Sequence, residues 1–420
     1  MRRMRKRMRR RRLRGRRMTM IKLVTRLRGS FLAQGSHPAA VPMPPQNIQG
    51  TSVEIFKDRL WWLSTSSAPL VDTNKEHYFS IDDFLVYEPF HNDFGPIDLG
   101  RTHWFITRMY NKMTKLRLYG KTIVHVCSED EAKRANAAFL ICAFLVAVHG
   151  YTPEQAFEPF AKQGVKFAGF RDASRHEISF EVSVVDCLSG LAAGISHGWY
   201  DWKTFDQYKY VYNQCTENGD MTWIVPNSII AMAGLAHTMD GSCRPTDFVL
   251  ELKAKSVTVV VRLNSKEYDR EDFIRNGIDH VELEFPDGTC PPASVIESFL
   301  RTVEGADGAV AVHCKAGLGR TGTLIGLFVM MRYGLTALEF MGWCKLCRPG
   351  SILGPQHQFL CDMEAGMRAL GALKNHLDIP SKMLGPGKIG SAFSAATMEK
   401  VQVDKGQGEH LISMRRPKGY

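Results

Sequence analysis

A cysteine, three glycines, an arginine and a threonine fall within one short stretch, Val312-His313-Cys314-Lys315-Ala316-Gly317-Leu318-Gly319-Arg320-Thr321-Gly322. Glycines at 317 and 319 let the backbone turn its amides inward, so the segment Lys315, Ala316, Gly317, Leu318, Gly319 can form a nest for a phosphate dianion. A helix starting directly after it adds the positive end of its dipole to the same spot. Cys314, at the mouth of such a nest, is favoured as thiolate, the nucleophilic form. Arg320 can fork two equatorial phosphate oxygens with parallel hydrogen bonds. Thr321 is placed to donate its hydroxyl to the sulfur and ease its departure. The chemistry is transfer of a phosphoryl group to sulfur and then to water, and it needs an acid. Phe285-Pro286-Asp287-Gly288 supplies one. Asp287 would protonate the leaving alkoxide or phenoxide and then deprotonate the hydrolytic water. Read alone, Pro-Asp-Gly is a turn; beside the cysteine loop it suits a mobile flap. Further on, Gly354-Pro355-Gln356-His357-Gln358 offers an amide to orient the water, with Gln356 the choice and Gln358 the reserve.

These residues need a strand ending at Cys314 and a helix starting after the glycines. Ala309–Val312 is β-rich, and Thr321–Val329 is an apolar helical run ending near Gly334. Val257–Leu263 and His280–Phe285 read as further strands. An earlier stretch echoes this unit. Thr122-Ile-Val-His-Val-Cys127 leads through a polar loop to Ala135–Leu145, then to Gly150-Tyr-Thr-Pro. His125 answers His313 and Gly150 answers Gly334. This predicts a duplicated α/β domain, a central sheet covered by helices in each copy, with the join between residues 198 and 220.

The chain has 420 residues, 44% hydrophobic and 23% charged, enough for two cores. Its formal net charge is +11, yet residues 1–53 hold 15 Lys or Arg and no acid, so the body that follows is net acidic. The first 17 residues carry 12 Arg or Lys, a density that suits a nuclear localisation signal, a nucleic-acid patch or an organelle transit peptide. Of ten cysteines only Cys344 and Cys347 sit close together, without a second pair at zinc spacing, so no metal and no cofactor is expected. The apolar runs are shorter than the ~20 residues that span a bilayer, so no membrane span is expected. The boundaries read as a basic N-terminal segment (1–50), a non-catalytic domain (51–198), a linker (199–220), a catalytic domain (221–370) and a flexible tail (371–420).

His-Cys-x5-Arg-Thr-Gly is the signature of cysteine-based phosphatases. With Tyr78-Phe-Ser-Ile-Asp82, Asp93-Phe-Gly-Pro96, Ala135-Asn-Ala-Ala-Phe139, Phe170-Arg-Asp-Ala173, Glu217-Asn-Gly-Asp220 and Cys347-Arg-Pro-Gly350, the chain over roughly 50–365 resembles the cell-division-cycle-fourteen dual-specificity phosphatases. The resemblance implies two tandem dual-specificity-phosphatase-like domains, only the second catalytic. The first has Val126 and Ala132 where the second has Cys314 and Arg320. It implies hydrolysis of phosphoserine, phosphothreonine and phosphotyrosine at proline-directed, cyclin-dependent-kinase-type sites, and a role in mitotic exit or cytokinesis. It also implies a nuclear, nucleolar or cytoplasmic location with spindle-pole or centrosome association. Phe170 and Arg171 match the position that faces the substrate proline. An acidic groove for a downstream basic residue is implied near Trp202–Asn218, where Asp206 and Glu217 are accompanied by Lys203 and Lys209. The expected partners are phosphoproteins. Self-association stays open, and the basic N-terminus offers contact with nucleic acid or import machinery.

Three rivals share parts of this pattern. A phosphoinositide phosphatase has a similar loop but usually a second lysine where Leu318 stands. An RNA 5′-triphosphatase would meet repulsion from the acidic body. A binding scaffold with a dead site describes the first domain well and the second poorly.

Overall fold

In the computed structural model, residues 48–67, 70–175, 180–235, 244–377 and 407–414 are described. The expectations for the Arg-rich N-terminus and proline linker, and Cys243, lie outside the described residues.

The first half opens with β1 (Thr51–Phe56) and β2 (Leu60–Ser64), a hairpin turned through Asp58, followed by β3 (Glu76–Ser80). Helix α1 (Leu99–Thr114) starts where the Asp98 carboxylate accepts the Arg101 N–H. The central strand β4 (Thr122–Cys127) then leads to α2 (Glu131–Phe144), α3 (Pro153–Lys162) and α4 (Val184–Ser196). The sheet order is β1-β2-β4-β3, with β2 and β3 both parallel to β4. All of β2 is buried, as a strand covered on both faces requires. Glu131–His149 is apolar and long enough to cross a membrane, but Ala135–Phe144 is buried throughout under this sheet, as in a core helix.

Helix α5 (Gln207–Gln214), capped by Asp206, lies in the connection to the second half and is bonded to it: Tyr210 Oη and Gln214 Nε2 both donate to the Cys347 carbonyl, at 2.9 and 3.0 Å.

The second half repeats the plan. Its elements are β5 (Met221–Val225), β6 (Ile229–Met232), α6 (Pro245–Ala254), β7 (Val257–Arg262), β8 (Asp279–Glu282), α7 (Ala293–Gly305), β9 (Ala309–His313), α8 (Gly319–Tyr333), α9 (Ala337–Cys347) and α10 (Gln356–Leu377). The order is β5-β6-β9-β7-β8, again an antiparallel hairpin joined to parallel strands. His125 on β4 sits opposite Trp62 and Phe79, while His313 on β9 sits opposite Met232 and Arg262. The duplication read from the sequence therefore holds strand for strand, with β8 added at one edge. Strand β8 ends at Glu282, short of the expected His280–Phe285, although the Leu283 and Phe285 N–H groups still donate to the Arg262 and Leu263 carbonyls before the segment carrying Asp287.

The halves meet where α4 crosses α9. A Cβ on Gly190 would lie 2.2 Å from the Trp343 amide nitrogen, and one on Gly342 would lie 2.4 Å from the Asp186 carbonyl, so the helices approach only because both lack side chains. Trp343 fills the contact and donates Nε1 to the Ile224 carbonyl at 2.8 Å. Within the segment read as a flexible tail, α10 continues to Leu377, and residues 407–413 form a short helix, α11 (Gln407–Ser413), that packs against the second half.

Candidate active site

The loop between β9 and α8 stands at the C-terminal end of the parallel strands, where ligands of open α/β sheets bind. Its carbonyls are all tied to the protein. Cys314 O accepts His313 Nδ1 at 3.0 Å, Lys315 O accepts the Gly234 N–H at 2.8 Å, and Ala316 O and Gly317 O accept Arg348 Nη2 and Nε at 3.2 and 2.7 Å. Leu318 O accepts the Gly322 N–H at 2.9 Å. In a trans peptide the N–H points opposite to the preceding carbonyl. Five outward carbonyls therefore turn the amides of residues 315–319 toward the opposite face, where the nest was expected. Gly317 has φ 66°, and a Cβ there would lie 1.9 Å from the Met232 carbonyl, so only glycine fits. Leu318 caps α8 and is fully buried.

Arg320 is buried, and its guanidinium is divided by role. Nη1 donates to the carbonyls of Leu263 (3.2 Å) and Phe285 (3.0 Å), which fixes the plane. Nη2 stands 3.1 Å from Asp287 Oδ1, and Nε has no hydrogen-bond partner among the described residues. The Thr321 hydroxyl is likewise buried without a partner there. Gln356 is fully buried. Its Oε1 accepts the Leu353 N–H at 3.1 Å, and its Nε2 donates to the Thr289 carbonyl at 3.1 Å, just beyond Asp287. Gln358 is exposed and bonded to Asp362, away from the cysteine loop. The structure thus gathers Cys314, Arg320, Asp287, Thr321 and Gln356 around one loop, with Lys315 at its rim.

Phe170 and Arg171 are not brought there. Phe170 is fully buried between Phe94 and Phe139, so its ring belongs to the first core and presents no face to a substrate proline. The exposed Arg171 pairs with Glu181 at 3.6 Å. The next residues do reach the site. Asp172 Oδ2 accepts the Gly354 N–H at 2.6 Å, and Ala173 packs with Ala316, Leu318 and Leu353. Burial works to raise the Asp172 carboxyl, but the hydroxyl and backbone N–H of Ser174 hydrogen-bond it and hold it below the usual carboxylate range. Burial also pushes the His357 imidazole down, so it meets Asp172 neutral at 3.5 Å rather than as an ion pair.

A second arginine, Arg348, holds the loop from behind. Besides the two loop carbonyls, it bonds the Asp220 carbonyl, both Asp220 carboxylate oxygens and Thr222 Oγ1, at 3.0–3.2 Å. Burial lowers its pKa to about 10, with Cys314 acting in the opposite direction. Beneath the cysteine, His313 Nδ1 faces a carbonyl and so carries the proton; its Nε2 accepts from Tyr268 Oη at 2.5 Å, and Tyr268 accepts from His280 Nε2 at 2.9 Å. Burial depresses His313 to about 3 and His280 to about 4, so both rings are neutral. Asp172, Asp220 and Arg348 lie inside sequence motifs that carried the family resemblance, yet their roles depend on contacts no motif spells out.

The corresponding loop of the first half has different chemistry. After β4, the Ser128 N–H is bonded to Asp82, and Asp130 caps α2, so an acidic turn stands where the second half has its nest. Cys344 and Cys347 are both buried in α9, and no cluster of three or more metal-ligating side chains occurs among the described residues.

Residues 54–194 match the family model described as dual specificity protein phosphatase, N-terminal half, and residues 236–334 match that of a polymorphic toxin system DSP-PTPase phosphatase. Among curated proteins, the mouse (Mus musculus) dual specificity protein phosphatase CDC14A is 41% identical over 76% of this chain and 54% of its own length. The human (Homo sapiens) dual specificity protein phosphatase CDC14C is 38% identical over 72% of this chain and 69% of its own. The Schizosaccharomyces pombe tyrosine-protein phosphatase CDC14 homolog is 35% identical over 76% and 62%. The chain thus spans about half to two thirds of the length of these relatives.

Proposed function

The chain belongs to the CDC14 family of dual specificity protein phosphatases, and from that premise we infer that its second half hydrolyses phosphate monoesters on proteins through a cysteinyl-phosphate intermediate. In this reading the Cys314 thiolate attacks phosphorus while the amides of residues 315–319 and Arg320 hold the equatorial oxygens. Asp287 gives its proton to the leaving oxygen as the P–O bond breaks. Thr321 donates to the sulfur, Gln356 orients a water, and Asp287 takes that water's proton as the S–P bond breaks and phosphate departs. The observation that carries the reading is the outward tethering of the five loop carbonyls, with Arg320 Nε unpartnered among the described residues beside them.

The substrates we propose are phosphoserine, phosphothreonine and phosphotyrosine proteins, with phosphoserine-proline sites preferred, and the setting is cell-cycle control. We propose no selection for a downstream basic residue. Asp206 is engaged as the α5 cap, and Glu88 and Asp98 both pair with Arg101. We further propose nuclear or nucleolar delivery by the Arg-rich N-terminus, tested by deleting residues 1–30 from a fluorescent fusion; an unchanged distribution would end the idea.

Hydrolysis of a phosphoserine-proline peptide by the wild type, Cys314→Ser and Asp287→Ala tests the mechanism. Both variants should lose turnover, and the wild type quenched in acid should yield a phosphorylated Cys314 peptide. Full activity in Cys314→Ser would sink the mechanism, while equal rates on a peptide lacking proline would remove only the site preference.

A further inference from the structure

Helix α11 closes over the site, and its contacts include Asp287 and the loop residues Lys315, Ala316 and Leu318. The Gly408 N–H donates to Asp287 Oδ2 at 2.7 Å. The Glu409 carboxylate pairs with Lys315 Nζ on the loop rim. Leu411 is 1% exposed, packed among Ala173, Ala316, Leu318 and Leu353 with Phe90 at the edge. The His410 ring meets His91 edge-on at 5.9 Å, and Met414 lines the cleft where Tyr87, Glu88 and Arg348 meet. Both halves of the protein thus contribute to one seat for a seven-residue helix.

We propose that this seat is a docking surface whose occupant is the chain's own C-terminal segment, Gly408–Met414, and that docking excludes the phosphorylated substrate. The inference rests on the phosphatase reading above and adds its regulation. Three features carry it. With Arg320 Nη2 paired to Oδ1 and the Gly408 N–H bonded to Oδ2, both oxygens of Asp287 are engaged, and neither faces a leaving group. A Cβ on Gly408 would lie 2.9 Å from both Asp287 Oδ2 and Lys315 Cβ, so the contact is as close as backbone permits. The apolar anchor sits on Ala316 and Leu318, members of the nest itself, so a peptide threading toward Cys314 must displace Leu411. The anchor spacing is a small residue, an acid, one intervening position and an aliphatic residue. That is the chemistry of a short acidic-aliphatic peptide, and here the chain supplies it.

The test uses the full chain with Leu411→Asp and, as a second disruption, Gly408→Trp, together with a synthetic peptide of residues 405–416. Turnover of a small aryl phosphate should rise roughly tenfold in both variants, as expected when a competing state held by one buried leucine is lost. Added peptide should inhibit the Leu411→Asp protein competitively. Unchanged rates in both variants would overturn the inference and leave the catalytic reading standing. A specific activity that rises on dilution of the wild type would assign the segment to a second copy, which also overturns it. If no form turns over phosphate, the phosphatase reading fails, and labelled-peptide binding decides the docking. Saturable binding displaced by tungstate supports it, and absence of binding overturns it.

Discussion

Replacing Arg348 by methionine should damage stability and catalysis by separable routes. Arg348 is 2% exposed and its partner Asp220 is 3% exposed, so removing the cation breaks a buried ion pair. That costs about 3–5 kcal/mol. The same change releases the carbonyls of Ala316 and Gly317, which loses the constraint turning the amides of 317 and 318 toward the phosphate. Loss of a preorganised donor of this kind lowers kcat about 10²–10³-fold. Asp220→Asn separates the two effects. Asparagine tolerates the φ of 46° at this position and removes the buried negative charge. The double variant Arg348→Met/Asp220→Asn should recover a large part of the stability in urea denaturation while kcat on an aryl phosphate stays low. Recovery of kcat together with stability would refute the loop-holding role. A single variant that is destabilised yet keeps kcat within threefold would refute it as well.

Asp172→Ala should act through the segment proposed to orient the water, because it strips the acceptor from the Gly354 N–H two residues before Gln356. The second chemical step should slow more than the first, seen as a burst of leaving group in stopped flow; loss of burst and steady rate in equal measure would contradict this. His125, fully buried between Phe79 and Phe105 with both ring nitrogens unpartnered among the described residues, is depressed to about 3 by burial. Its depressed folded value means stability is fully present above the unfolded pKa of ~6.5 and is lost, at up to ~1.4 kcal/mol per pH unit, as pH falls from there toward about 3. His125→Phe should flatten that acid limb in urea titrations between pH 7 and 4, and an unchanged limb would exclude His125 as a source.

That Cys314, Arg320 and Asp287 meet at one loop was legible because the pattern is local. Five residue types at fixed spacing between a β-rich run and an apolar helix leave few geometries, and Gly317 at positive φ is what the loop demands. The duplicated sheet was legible for a similar reason, since each strand-loop-helix unit is continuous in the chain. Gln356 over Gln358 was a choice that only burial supports, one side chain inward and the other on the surface. What the sequence could not assign depends on contacts between distant segments. Phe170 faces the first core because Phe94 and Phe139 close around it, and no local pattern distinguishes that ring from one lining a cleft. Arg348 and Asp172 lie in recognisable motifs, but their work is done on carbonyls and amides far away in the chain. Residues 407–413 read as tail because seven residues hold no helix by themselves. Their order comes from a seat assembled by Ala173, Ala316, Leu318 and Asp287, which become neighbours only in the folded protein.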